Sequence, residues 1–194
     1  NVAEIAARQR NYVVQLGSGC IFEGDETTVY TEEDEPNFFG SFYSQTKAIC
    51  EGVLKEIPNV CILRIRMPLS QRPHPKNLLN KLLQYEKILN LPNSVTVIED
   101  FLPFLERVIE KRITGVLNAV NPGIYHHRDL LELYREHVDP SRHFSFIGLK
   151  EFEGMTKAKR SNCVLSTKKS EALEISMPPI SESLPRLIKA FQAE

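Results

Sequence analysis

Two short apolar runs bracket a helical segment, and that order constrains the chain more than any other feature. Asn11-Tyr-Val-Val-Gln-Leu-Gly17 and Val60-Cys-Ile-Leu-Arg-Ile-Arg66 are rich in β-branched and apolar residues and have ordinary strand length. Between them an acidic stretch, Thr31-Glu-Glu-Asp-Glu-Pro36, gives way to helical spacing from Gly40 to Lys55. Strands joined through a helix run parallel, and a parallel sheet needs cover on both faces. The first residues, through Gln9, also have helical spacing, but no capping residue precedes them. Apolar spacing predicts further helices from Asn77 to Leu89, Asp100 to Arg112, Arg128 to His137 and Ser181 to Gln192, with strands at Val95 to Ile98, Gly115 to Ala119 and His143 to Ile147. Proline places loops at Gln71 to Pro75 and Met177 to Pro179.

The predicted fold class is α/β: the C-terminal part of a Rossmann-like doubly wound parallel sheet with a small substrate-binding region, its ligands outside the carboxyl ends of the strands. Such a sheet opens with a GxGxxG turn that seats a pyrophosphate at a helix N-terminus, and the nine glycines here do not form one. The expectation is therefore a fragment, lacking a glycine-rich segment of roughly 80 to 100 residues upstream. Residues 1–70 are expected to be the C-terminal half of the dinucleotide-binding domain, and residues 71–194 a mixed remainder with substrate-binding elements and late strands and helices. A net charge of −1 without a long basic block argues against nucleic acid or an anionic membrane as partner. No apolar run approaches a membrane span, and Cys20, Cys50, Cys61 and Cys163 show neither CxxC nor metal spacing, so the reading is a soluble cytoplasmic protein with reduced thiols and no metal.

Tyr43-Ser-Gln-Thr-Lys47 carries the chemistry. At i and i+4 on a helix the phenol and the ammonium share a face. A carbonyl accepting hydride needs a proton, and a tyrosine supplies it better when a cation stabilises the phenolate. The Gly17-Ser18-Gly19 turn closing the preceding strand adds a hydroxyl for the same oxygen. The order strand, Ser, loop, Tyr-x-x-x-Lys, strand resembles the extended short-chain dehydrogenase/reductases, whose Ser/Thr, Tyr and Lys triad maps onto Ser18, Tyr43 and Lys47. That resemblance makes Gly17, Tyr43, Lys47, Met67 and Pro68 the cofactor-binding residues. The alternative for the Tyr and Lys pair is an ordinary amphipathic helix surface.

Longer blocks sharpen the likeness. Gly19-Cys-Ile-Phe-Glu23, residues 33–48 around Phe39-Gly-Ser-Phe-Tyr43, Asn59 to Pro68, Leu91-Pro-Asn-Ser-Val-Thr-Val97, Asn121-Pro-Gly123 and Arg160-Ser-Asn162 resemble the nucleotide-rhamnose synthase/epimerase-reductase family and, more distantly, dTDP-4-dehydrorhamnose reductase. The resemblance implies NADPH as cofactor, with NADP as its oxidised form. It implies a nucleotide sugar as substrate, with 3,5-epimerisation and 4-keto reduction giving UDP-L-rhamnose, and leaves a homodimer open as the assembly. Inverting the carbons beside a ketone needs proton carriers, and the resemblance points to Cys20 and Lys81 as further catalytic residues. A packed thiol and a solvated lysine are the plain alternatives. Arg160 and Asn162, preceded by Lys157 and Lys159, offer a guanidinium fork and an amide to substrate, with a charged, solvated loop as the alternative, and Asn37 and Asn77 offer amides to sugar hydroxyls, although either asparagine equally suits a cap or turn. His126-His127 reads as a helix start rather than a metal site. The rival function is a reductase-like, non-catalytic regulatory or binding subunit, such as the regulatory subunit of methionine adenosyltransferase.

Overall fold

The computed structural model describes residues 2–25, 27–153, 155 and 160–191; the expectations at Asn1, Lys157, Lys159 and Gln192 lie outside the described residues. In chain order the elements are α1 (Val2–Arg8), β1 (Val13–Ser18), a 3-10 turn (Gly19–Ile21), β2 (Val29–Tyr30), α2 (Phe42–Leu54), β3 (Val60–Ile65), β4 (Pro68–Leu69), α3 (Leu78–Leu82) and β5 (Lys87–Leu89). There follow β6 (Thr96–Val97), α4 (Ile98–Glu110), β7 (Gly115–Asn118), α5 (His127–His137), β8 (Ser145–Ile147), α6 (Leu149–Glu153), β9 (Val164–Leu165), α7 (Lys168–Ala172) and α8 (Ile180–Ala190).

The principal sheet has the order β1-β3-β7, and both pairings are parallel, with Val13 opposite Val60 and Cys61 opposite Gly115. Side chains alternate across it. Val60, Ile62 and Val116 pack with Ala3, Leu54 and Ile57 on the α1 and α2 side, while Cys61, Leu63 and Leu117 pack with Phe101, Phe104 and Val108 of α4 on the other. Helical cover on both faces explains why β3 is buried along almost its whole length. A second apolar cluster gathers Leu79, Ile88, Leu130, Leu131, Leu184, Leu187 and Ile188 from α3, β5, α5 and α8. The α/β class with parallel sheets stands as expected.

Local chemistry sets the starts of the helices that matter here. Ser41 is extended at φ −138° and its Oγ accepts from the Ser44 amide at 3.1 Å, so α2 begins in the turn before Tyr43. His126 precedes α5 with its amide donating to Asp129 Oδ2 at 3.2 Å, in line with the reading of a helix start. Gly123 turns the chain at φ 105°, and a Cβ there would lie 3.1 Å from Ile180.

One expected element is wrong. The helix predicted from Asn77 to Leu89 ends at Leu82, and Lys87–Leu89 is instead a strand paired in parallel with β8. The amides of Gln84 and Tyr85 reach back three residues to Lys81 and Leu82, tightening the final turn, and Ile88 is then buried through a partner distant in sequence. Paired β2 and β9 are too short to show periodicity. Within the acidic stretch the Glu32 carboxylate accepts from the Asn118 amide at 2.8 Å where β7 ends.

Candidate active site

At the carboxyl ends of β1 and β3 the chain opens into a cavity of about 510 Å³. Its wall includes Cys20, Tyr43, Met67, Pro68, Lys81, Arg160 and Asn162 from the expected set, together with Arg66, Lys76, Tyr85, Lys87, Asn93, His127 and Ser161. Five of these, Arg66, Lys76, Lys81, Lys87 and Arg160, are cations, and among the described residues the wall has no carboxylate. Such a wall suits an anionic ligand. Lys87 already pairs with Glu151 at 2.8 Å.

Tyr43 stands half exposed in the first turn of α2, and Lys47 Nζ lies 5.8 Å from the centre of its ring. Lys47 also donates to the Leu16 carbonyl at 3.1 Å, which ties this face of α2 to β1. Ser18 ends β1 and is buried; its Oγ accepts from the Cys20 amide at 3.1 Å and thereby caps the turn that presents Cys20. Gly17 faces the neighbouring strand, where a Cβ would meet Ile62 at 2.8 Å. Met67 adopts φ 40°, a left-handed conformation that costs a non-glycine residue about 1–3 kcal/mol. That turn brings Met67 and Pro68 to the cavity wall.

Ser18, Lys47, Gly17, Asn37 and Asn77 are not on that wall. Asn37 accepts from the Glu23 amide at 2.9 Å and donates to the Glu23 carbonyl and the Tyr30 hydroxyl, so its amide is committed to its own loop. Asn77 precedes α3 and donates to the carbonyls of Ser70 and Arg72 at 2.7 and 2.9 Å. Asn162 is buried and meets Asn93 at 3.4 Å, while Arg160 is exposed with its guanidinium 5.9 Å from the Phe152 ring.

Sequence reasoning missed Arg66 and His127. Arg66 was signalled by Arg64 and Arg66 standing two apart in an otherwise apolar strand, where neither charge can be left to chance. Arg64 meets Glu51 at 2.6 Å and Arg66 turns to the cavity. His127 packs edge-on against Tyr125, and its Nδ1 lies 2.7 Å from the Leu89 carbonyl, so Nδ1 carries the proton. Burial holds its basicity below the ordinary histidine value, against the Leu89 hydrogen bond and with help from Arg66, Arg160 and His126. Among the described residues no group of His, Cys, Asp and Glu could hold a metal ion, and no helix is long and apolar enough to cross a membrane.

Comparison with known proteins agrees with this architecture. A bifunctional dTDP-4-dehydrorhamnose 3,5-epimerase/dTDP-4-dehydrorhamnose reductase of Arabidopsis thaliana is 37% identical over 194 residues, covering 96% of this chain and 64% of the relative. A trifunctional UDP-glucose 4,6-dehydratase/UDP-4-keto-6-deoxy-D-glucose 3,5-epimerase/UDP-4-keto-L-rhamnose-reductase of the same plant is 36% identical over 190 residues, 94% of this chain and 28% of the relative. The chain thus spans less than two thirds of either. The crystal structure of a UDP-rhamnose synthase from Acanthamoeba polyphaga mimivirus superposes with a TM-score of 0.91 at 31% identity, covering 97% of this chain and 68% of the other. A dTDP-4-dehydrorhamnose reductase from Bacillus anthracis in complex with NADP shares the fold with a TM-score of 0.81 at 18% identity, over 96% of this chain and 68% of that one. The family model described as RmlD substrate binding domain matches residues 1–193, and the chain belongs to that family.

Proposed function

We propose that this chain carries the proton-transfer and sugar-binding residues of an enzyme that makes a nucleotide-L-rhamnose, by 3,5-epimerisation and NADPH-dependent 4-keto reduction of a nucleotide-linked 4-keto-6-deoxy sugar. The observation that carries the reading is one cavity that gathers Tyr43, Cys20 and Lys81 under a cationic wall without a carboxylate among the described residues. A phenol, a thiol and an amine are three proton carriers, and the cations suit a diphosphate. The names of the plant and viral relatives support the same chemistry. The relatives with UDP in their names favour UDP as the nucleotide.

Tyr43, Lys47, Met67 and Pro68 are the residues that would hold the nicotinamide end of the cofactor, with Gly17 placed in β1 against Ile62 and Leu63 of the neighbouring strand. The fit rests on the half-exposed phenol on the cavity wall and on the Met67 backbone turned toward the same space. When bound, NADPH supplies the hydride. Tyr43 then donates its phenolic proton to the C4 oxygen, and Lys47, held against the Leu16 carbonyl, stabilises the phenolate left behind. Ser18 keeps the Cys20 turn in place through its Oγ. Cys20 and Lys81 exchange protons at C3 and C5, and Arg160 and Asn162 bind the sugar nucleotide. Mass spectrometry of products from the intact protein with UDP-4-keto-6-deoxyglucose and NADPH should show UDP-L-rhamnose, with deuterium at C3 and C5 when the reaction runs in deuterium oxide. Failure to consume NADPH with either the UDP or the dTDP sugar would end this reading.

A further inference from the structure

The proposed function gives Cys20 a proton to carry, and the surroundings of its sulfur are governed by Arg66, which that function counts only as one of the cations of the wall. Arg66 follows β3 and is 2% exposed. Its Nη1 donates to Cys20 Sγ at 2.9 Å and to Ser161 Oγ at 3.1 Å, and its Nη2 donates to Asn93 Oδ1 at 2.7 Å and to the Ser161 carbonyl. Nε is buried with no hydrogen-bond partner among the described residues. All of these partners are neutral while the sulfur is a thiol. Arg64, equally buried two residues earlier, provides the contrast, because Glu51 neutralises it at 2.6 Å. A guanidinium keeps its proton in a folded protein, and burying it without a counter-charge is costly. Among the described residues Arg66 is therefore a fixed cation with no anion hydrogen-bonded to it, and of the atoms it hydrogen-bonds the Cys20 sulfur is the one that can become an anion; the Cys163 thiol, which feels Arg66 through space, is buried and donates to the Gly19 carbonyl at 3.2 Å.

We propose that Arg66 is the positioning residue for Cys20: it fixes the sulfur at the cavity wall and stabilises the thiolate in which a cysteine accepts a proton. In the step served, the sulfur lone pair takes the proton from the carbon beside the C4 ketone and an S–H bond forms. The electron pair of the broken C–H bond becomes a carbon–carbon double bond, and the carbonyl pair moves to oxygen as an enolate. Arg66 keeps its own proton throughout. Asn93 and Ser161 anchor the guanidinium, so it holds one orientation as the charge on sulfur comes and goes. The proposal rests on the reading of Cys20 as a proton carrier.

The test is the pH dependence of Cys20 alkylation by iodoacetamide in the intact protein without substrate. It is followed on the Cys20 peptide by mass spectrometry, because Cys20 is half-buried while Cys50 is exposed and is alkylated as well. Arg66→Gln should slow alkylation about tenfold at pH 7, because the thiolate is the nucleophile and the variant removes the cation bonded to it, and the two curves should meet in alkali. Arg66→Lys, which keeps a charge without the fork, should fall between them. A residue that only packs against the sulfur would change the rate by one factor at every pH, and a parallel or unchanged curve overturns the proposal. An unchanged curve with a raised KM would make Arg66 a substrate anchor instead, which overturns it equally. If Arg66→Gln does not fold, Ser161→Ala loosens the guanidinium while leaving both partners present; it should show a smaller loss confined to neutral pH, and no loss there counts against the proposal. Deuterium exchange in Cys20→Ala tests the underlying reading separately. Exchange lost in that variant, with alkylation indifferent to Arg66, would leave Cys20 its role and remove Arg66 from it.

Discussion

Tyr43 and Cys20 share one cavity but are assigned different bonds, so their substitutions should separate two activities. Tyr43→Phe removes the phenolic proton and leaves Cys20 and Lys81, so reduction at C4 should fall by about 10² to 10⁴ while proton exchange at C3 and C5 persists. Cys20→Ala should do the reverse, suppressing deuterium uptake at one or both carbons while a 4-keto sugar already in the L configuration is still reduced. Wild-type exchange in Cys20→Ala would make the thiol a packing residue. His127 gives a prediction of another kind. Burial lowers its proton affinity in the folded chain, so below about pH 6.5 the unfolded imidazole gains a proton that the folded one does not. Stability should therefore fall as pH drops through that region, with a limiting slope of about 1.4 kcal/mol per pH unit for one proton. Thermal unfolding at pH 7.5 and 5.5 should show a smaller loss in His127→Gln than in wild type, and equal losses would remove His127 as the cause.

At the scale of the element, α2 is a ruler with three marks on one face. Tyr43, Lys47 and Glu51 stand at i, i+4 and i+8; the first reaches the cavity, the second the end of β1 and the third a buried arginine of β3. Glu51 accepts from Arg64 Nε at 3.0 Å and from Nη2 at 2.6 Å, while Arg64 also donates to the Thr31 carbonyl and lies over the Phe22 ring at 4.9 Å. The pair ties α2 to β3 two turns beyond Tyr43. Glu51→Ala strands a buried guanidinium and should destabilise the protein by about 3–5 kcal/mol in urea unfolding, whereas replacing both partners with apolar residues of similar volume should cost much less. A loss below about 1 kcal/mol for the single change would mean that water already reaches Arg64. The YxxxK spacing is legible in the sequence, but the third mark is not: Glu51 looks like any charged helical residue until Arg64 is placed opposite it.

The whole molecule has one apolar cluster on the α4 face of the β1-β3-β7 sheet and a second among α3, β5, α5 and α8, and the cavity lies against the second, whose Leu78, Leu82 and Ile88 line it. The second cluster is built from pieces far apart in sequence, so local apolar spacing alone extends α3 through residues that the fold makes into β5. No GxGxxG turn occurs in these residues, so they offer no such cradle of backbone amides for a pyrophosphate. Calorimetry on the 194 residues alone should show no binding of NADPH at micromolar concentrations. Micromolar binding would mean that the dinucleotide site lies somewhere other than beside Tyr43 and Met67.

What the sequence alone determined was whatever depends on near neighbours along the chain. The strand, helix, strand order follows from local periodicity, the face shared by Tyr43 and Lys47 from helical geometry, and the start of α5 from its leading residues. Long blocks resembling the rhamnose-forming reductases also carry the family likeness in the sequence itself. What only the tertiary structure decided was which polar groups meet. Asn37 and Asn77 find backbone partners within a few residues, while Arg66 finds Cys20, Asn93 and Ser161 across three separate segments. A side chain's identity tells what it can bond but not what stands beside it once distant segments pack, and in a close-packed interior that neighbour decides whether an arginine neutralises a helix or faces a thiol.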